Sequence, residues 1–271
     1  MSIIAEIGTR LVVADGDNGA LLAAEGLVPN SCVEAFCVEN PGLVADGHRA
    51  FAEAGAEIIR TNSFGANGLR LAALGLGDHV NEINWQAAQI ARQAVKGLQV
   101  AVAGSVGPLP ANDLPRKEVA AIFREQIGAL LDGGAQLIFF EAFPDIESLL
   151  VALEVKYSLH HCPAICSLAF TTSGTLADGT TLAAAFAKLV AADADILGIT
   201  GSSFGSCEAL ATVSHALSLP SPVALSLSRS PQVPLTPEEY SAGCDALARL
   251  GAGLMAGGAG IEPRHIAACF A

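Results

Sequence analysis

Basic residues are scarce in this chain. Lys and Arg number 14 against 27 Asp and Glu among 271 residues, a formal net charge of −13. No basic run offsets that average, so a nucleic-acid surface would repel the chain. Aromatic residues are few as well, and one Trp with two Tyr leaves little material for stacking on bases. Long apolar runs are missing despite a hydrophobic content of 52%; none approaches the roughly 20 residues of a membrane helix. The opening MSIIAEIGTR has no basic flank leading into a long apolar core, so no secretory signal is expected. The seven cysteines (Cys32, Cys37, Cys162, Cys166, Cys207, Cys244 and Cys269) are odd in number and contain no CxxC pair. That pattern argues against a disulfide framework. These absences together predict a cytoplasmic protein that binds neither nucleic acid nor membrane.

What the sequence does have is alternation. Short, nearly continuous apolar runs occur at Leu11–Ala14, Glu57–Thr61, Gln99–Gly104, Gln136–Glu141, Ala164–Leu168, Ile196–Thr200, Val223–Leu227 and Gly253–Ala256. They read as parallel strands buried on both faces. Longer stretches with helical spacing fill the gaps, among them Pro41–Ala54, His79–Lys96 and Arg116–Asp132. Thr236 before Pro237 and Glu262 before Pro263 mark helix starts. Eight strand–helix units in this length predict an α/β fold, a single (β/α)8 TIM barrel over residues 1–271. A doubly wound open sheet is the rival, but its GxGxxG turn is absent: the first turn reads Asp15-Gly16-Asp17-Asn18-Gly19-Ala20.

In such barrels the chemistry lies at the carboxyl ends of the strands. Those ends carry Asp15 and Gly16; Thr61, Asn62 and Ser63; Ser105, Gly107 and Pro108; Glu141; Phe170 and Thr171; Thr200, Gly201 and Ser202; Ser228 and Arg229; and Gly257 to Gly260. Asp15 and Glu141 are suited to bind an ammonium or to act as acid and base. They are equally suited to anchoring a turn and to pairing with a helix N-terminus or an Arg. Met255–Gly260 could cradle an anion or simply turn. Gly201-Ser202-Ser203-Phe204-Gly205 matches GxSxG, with Ser203 as nucleophile and Asp245 and His265 following in the hydrolase order, or it is a small-residue turn. His48 and His79 lie on helices and are expected to be solvated. No His shares metal-ligand spacing with Cys or a carboxylate.

At these strand ends the chain resembles the homocysteine S-methyltransferase family. Asp15–Gly19 resembles its DGAMG turn, and Asn40–Val44 through His48–Ala50 its NP-x-LV…HRAY helix. Ala54–Asn67, AGAEIIRTNSFGAN, is similar to AGADIIETNTFGAN. Ala103–Pro108 resembles AGSIGP, Phe140–Asp145 FETFPD, and Ser167–Phe170 SLTF. The resemblance implies a barrel in which Asp15 and Glu141 contact the amino group of a homocysteine-like substrate, with Gly16, Thr61, Asn62 and Ser105 beside them.

The resemblance breaks at the metal. The family holds zinc through three cysteines, and their positions here are Gly201, Gly258 and Ala259. No metal ligand is expected, since none of these residues carries a donor side chain. A relocated site using Cys207 or Cys166 is the weak alternative. The small residues are expected to leave extra room where zinc and sulfur would sit. The function implied is a zinc-independent methyltransferase of one-carbon or methylated-compound metabolism, with no bound cofactor and a methylcorrinoid partner protein as a candidate methyl carrier. A non-catalytic subunit binding an amino acid or one-carbon ligand is the alternative, and a different barrel reaction a third. The partner expected is an amine- or amino-acid-like small molecule attracted by two carboxylates, and a homo-oligomer is compatible with the chain.

Overall fold

In a computed structural model, residues 3–16, 18–24, 32–171, 173–201, 203–216, 223–227, 235–258 and 260–271 are described. Their order is β1 (Val12–Val13), α1 (Asn18–Ala24), α2 (Phe36–Glu39), α3 (Pro41–Glu53), β2 (Ile58–Arg60), α4 (Gly68–Ala73), α5 (Val80–Ala94), β3 (Ala101–Val106) and α6 (Arg116–Asp132). There follow β4 (Leu137–Phe143), α7 (Ile146–Leu159), β5 (Ala164–Ala169), α8 (Leu182–Ala191), β6 (Ile196–Gly201), α9 (Phe204–Ala216), β7 (Val223–Leu227), α10 (Pro237–Arg249), β8 (Ala252–Ala256) and α11 (Pro263–Ala268).

The eight strands form one parallel sheet in the order β1-β8-β7-β6-β5-β4-β3-β2. The ends of that sheet meet. Glu57 N–H donates to Val13 O at 2.8 Å, Asp15 N–H donates to Ile58 O at 2.9 Å, and Ala14 bridges Ile58. The fold is a (β/α)8 barrel, which leaves no exposed strand edge. Asp145 caps α7, accepting from Ser148 N–H at 2.7 Å, and Thr236 with Glu239 forms a capping box at the start of α10.

Two packed layers result from the period-two alternation of side chains. Val12, Ile58, Ala101, Leu137, Phe139, Ile165, Ile196, Ala224 and Leu254 point inward and fill the barrel. Val13, Ile59, Val102, Ile138, Phe140, Leu197 and Met255 point outward and pack beneath the helices. Ala14, Ala103 and Ala256 also belong to the inner cluster. These small side chains lie toward the carboxyl ends of their strands and leave space there that larger residues would close. Helix α3 buries Val44, Gly47, His48 and Phe51, a stripe at helical spacing. His48 is therefore fully buried rather than solvated, while His79 is exposed as expected. Among the described residues, no helix is long and apolar enough to cross a membrane.

Candidate active site

Four inward-facing positions converge at the carboxyl end of the barrel: Asp15 after β1, Arg60 at the end of β2, Ser105 on β3 and Glu141 on β4. Glu141 keeps the inward parity of Leu137 and Phe139, and its strand becomes irregular at this point. The β4–β5 register shifts between Phe140 and Phe143, and Ala142 takes φ 57°. Phe140 and Phe143 thus both stay in the outer layer although they are three residues apart. The bulge thus re-aims Phe143 outward, while Glu141 faces the barrel axis and reaches Arg60.

Arg60 organises this mouth. Its Nε donates to Asp15 Oδ1 at 2.7 Å and its Nη1 to Glu141 Oε2 at 2.6 Å. Its Nη2 donates to the carbonyls of Asp15 (3.0 Å), Gly16 (2.8 Å) and Gly257. Its backbone N–H takes the remaining Asp15 oxygen at 2.9 Å. Below, the guanidinium carbon lies 5.7 Å from the centre of the Phe139 ring. The remaining Glu141 oxygen accepts from Ser105 Oγ. Every oxygen of the two carboxylates therefore has a protein donor.

The electrostatics follow from burial and pairing. Burial pushes the Asp15 carboxyl up to about 6, against the lowering effect of Arg60, with Glu141 adding a smaller upward push. For Arg60, burial works against the charge, but the attraction of Glu141 and Asp15 outweighs it and the guanidinium is held more firmly protonated. The expectation of a pocket dominated by two free carboxylates is corrected here. The chain supplies their cation itself, and Glu141 adopts the pairing with an Arg that its sequence left open.

Above the triad lies a cavity of about 330 Å³. Asp15, Gly16, Thr61, Asn62, Ser105 and Glu141 all line it, with Asn18, Glu34, Phe64, Arg70 and Gly258 among the other walls. Several of these side chains are engaged in holding the wall. Thr61 Oγ1 accepts from Ser105 N–H at 2.9 Å and meets Ser63 Oγ at 2.6 Å. Asn62 Nδ2 donates to Val33 O at 2.7 Å, and Glu34 accepts from Gly65 N–H at 2.8 Å. Sequence reasoning missed Arg60, Glu34 and Arg70. For Arg60 the signal was available: an arginine at the end of a buried strand, where the similar family segment has glutamate.

The positions aligned with zinc ligands do not suit a metal. Ala259 and the Ser228–Ser230 stretch lie outside the described residues, as does Ser202. At Gly201 a Cβ would fall 2.6 Å from Cys207 Sγ and 2.9 Å from Ser206 Oγ. The expected extra room is absent at this position, because Cys207 from α9 has packed into it. Burial raises the Cys207 thiol to about 12 and the Cys166 thiol further still, so neither offers a thiolate. Among the described residues, no three His, Cys, Asp or Glu side chains gather as a metal site.

Among the described residues, the GxSxG turn has no catalytic partner in place. Ser203 Oγ bonds with Ser206, while His265 accepts from Glu262 N–H at 3.0 Å and faces Leu235 O at 2.9 Å. Ser203 is a helix-start residue.

The family model of homocysteine S-methyltransferase matches residues 12–270, and the chain belongs to that family. It is 28% identical to methionine synthase of Mycobacterium tuberculosis over a 293-residue alignment, covering 96% of this chain and 24% of the relative. The chain thus spans about a quarter of the length of that relative. It is 29% identical to betaine–homocysteine S-methyltransferase 1 of Xenopus tropicalis over 199 residues, 69% of this chain and 48% of the relative. Among solved structures, the metallated form of the homocysteine methyltransferase MmuM of Escherichia coli superposes with a TM-score of 0.84 at 25% identity. That match covers 96% of this chain and 95% of the other.

Proposed function

We propose that this barrel is a zinc-independent methyltransferase that acts on a small molecule in one-carbon or methylated-compound metabolism. The observation that carries the reading is the family match over residues 12–270 together with an intact cavity at the carboxyl ends of its strands. Zinc independence rests on the donor set: Gly201, Gly258 and Ala259 have no ligating atoms, and Cys207 fills the space at the first of them.

Without a metal, a thiol acceptor of pKa about 8.5 would be mostly protonated at neutral pH. The reaction then needs either a more nucleophilic acceptor or a more reactive methyl donor, and a methylcorrinoid carried on a partner protein is one such donor. The chain's own residues would contribute a preformed, charge-paired floor. Arg60 fixes Asp15 and Glu141, and Glu141 in turn holds Ser105, so little reorganisation is needed when a ligand enters. A second reading is a non-catalytic ligand-binding barrel. It is favoured by the same engagement of both carboxylates with Arg60, which ties up the acidic groups of the floor. Free cysteines and a strongly acidic chain fit the expected cytoplasmic setting.

The test is a methyl-transfer assay on protein whose zinc content is measured in parallel, run with and without a methylcorrinoid protein and with a chelator added. Turnover that survives the chelator supports the proposal. Stoichiometric zinc whose removal abolishes turnover would sink it. Saturable ligand binding without turnover under any donor favours the second reading.

A further inference from the structure

We infer that Arg60 determines the specificity of this pocket: its guanidinium occupies the place between Asp15 and Glu141, so the pocket takes a small molecule that carries no ammonium group. This deepens the reading of the cavity as a methyl-transfer site and rests on it.

A second cation would meet only oxygens that already accept a hydrogen bond, three of the four bonds coming from Arg60 itself. Asp15 receives Arg60 Nε at 2.7 Å on one oxygen and the Arg60 backbone N–H at 2.9 Å on the other. Glu141 receives Arg60 Nη1 at 2.6 Å on one oxygen and Ser105 Oγ on the other. An ammonium brought to these oxygens would shed its water beside an existing guanidinium. It would exchange strong hydration for crowded acceptors and like-charge repulsion.

Arg60 is also costly to move aside. Its side chain is 9% exposed, and three carbonyl oxygens from β1, its turn and the β8 turn hold Nη2 from behind. Swinging it out would strand those carbonyls and two buried carboxylates at once, the situation in which breaking a buried ion pair costs most. The space it fills is part of the barrel's construction, since Ala14, Ala103 and Ala256 line the inner layer where bulkier residues would exclude it.

Beside Glu34, which accepts from Gly65 N–H at 2.8 Å and from Cys32 Sγ at 3.3 Å, the cavity holds two cationic side chains. Nη1 has one protein acceptor among the described residues, so one of its two hydrogens is available to the cavity. Arg70 lines the same cavity, is exposed, and forms no ion pair among the described residues. Both features suit a carboxylate or a neutral hydrogen-bond acceptor on the ligand, and neither suits a cation.

The experiment is calorimetric titration of the full chain with L-homocysteine and with its des-amino analogue, 4-mercaptobutanoate. The wild-type protein is expected to bind L-homocysteine no more tightly than 4-mercaptobutanoate. A preference of about tenfold or more for L-homocysteine overturns the inference, because it shows the ammonium adding affinity. Arg60→Ala provides the converse. Propylguanidinium and L-homocysteine are each expected to raise the Tm of the folded variant saturably, while propylguanidinium leaves wild type unchanged. A folded Arg60→Ala protein indifferent to both also overturns it. Should that variant fail to fold, the wild-type titration decides alone. Methyl transfer is read in neither arm, so a failure of the proposed reaction and a failure of this inference are distinguishable.

Discussion

Replacing Gly201 by alanine should be harmful for one reason, and a second substitution should largely cure it. The added Cβ would lie 2.6 Å from Cys207 Sγ and 2.9 Å from Ser206 Oγ, against an optimum of about 3.5–4.0 Å for non-bonded carbon contacts. Gly201 is buried, and Cys207 is fully enclosed between β6 and β7, with Sγ 3.9 Å from Ser226 O. The sulfur has little freedom to retreat, so the overpacking should cost about 1–3 kcal/mol. Cys207→Ala by itself removes one buried atom and should cost about 1 kcal/mol. In the double variant the methyl group gained at 201 enters the space vacated at 207, so the two losses should fall short of adding by about 1–2 kcal/mol. Urea unfolding of wild type, both single variants and the double variant gives this coupling, provided the m-value is unchanged. A Gly201→Ala protein within about 0.5 kcal/mol of wild type, or a strictly additive cycle, would refute the claim that Cys207 occupies the site.

Three further outcomes are expected. Burial lowers the His48 pKa from 6.5 to about 4, so between those values the unfolded chain binds more protons than the folded one. Stability should therefore rise with pH across that window and be lost on acidification, by about 3 kcal/mol in all at roughly 1.4 kcal/mol per unit. His48→Leu should flatten the difference between urea midpoints at pH 7 and pH 5, and an unchanged slope would count against the assignment. Ala142→Val places a β-branched residue at φ 57°; a loss of about 1–3 kcal/mol is expected, and a neutral result in thermal unfolding would show that the bulge is not strained. Thr236→Ala removes the α10 capping box and should cost about 1 kcal/mol, while Thr236→Ser should restore most of it.

Much of the architecture was legible because its signals are local and repeated. Eight apolar runs bounded by turns give eight strands, and burial on both faces explains why those runs are nearly continuous rather than alternating. The boundaries moved by one or two residues, as hydrogen-bonded ends do: Gln99–Gly104 became Ala101–Val106, and Gln136–Glu141 became Leu137–Phe143. The list of residues at the strand ends was also readable, since a parallel barrel brings all its carboxyl ends to one face. Nine of the residues named from that rule line one cavity. His48 was legible in principle, because Val44, Gly47, His48 and Phe51 share one helical stripe; reading the residue type before the periodicity placed it in solvent.

Tertiary structure decided the electrostatics and the steric fate of the lost metal positions. Arg60 is 45 residues from Asp15 and 81 from Glu141 in sequence, and whether a charge is free or paired depends on which strand ends become neighbours across the barrel. The sequence by itself determined that the chain carries two carboxylates and an arginine at strand ends, and that Gly201 has no donor. That the arginine sits between the carboxylates, and that a thiol from the next helix fills the space beside Gly201, follows only from barrel closure and from helix α9 packing onto β6 and β7. Coulomb energies and contact distances are set through space, and a linear pattern of residues does not contain them.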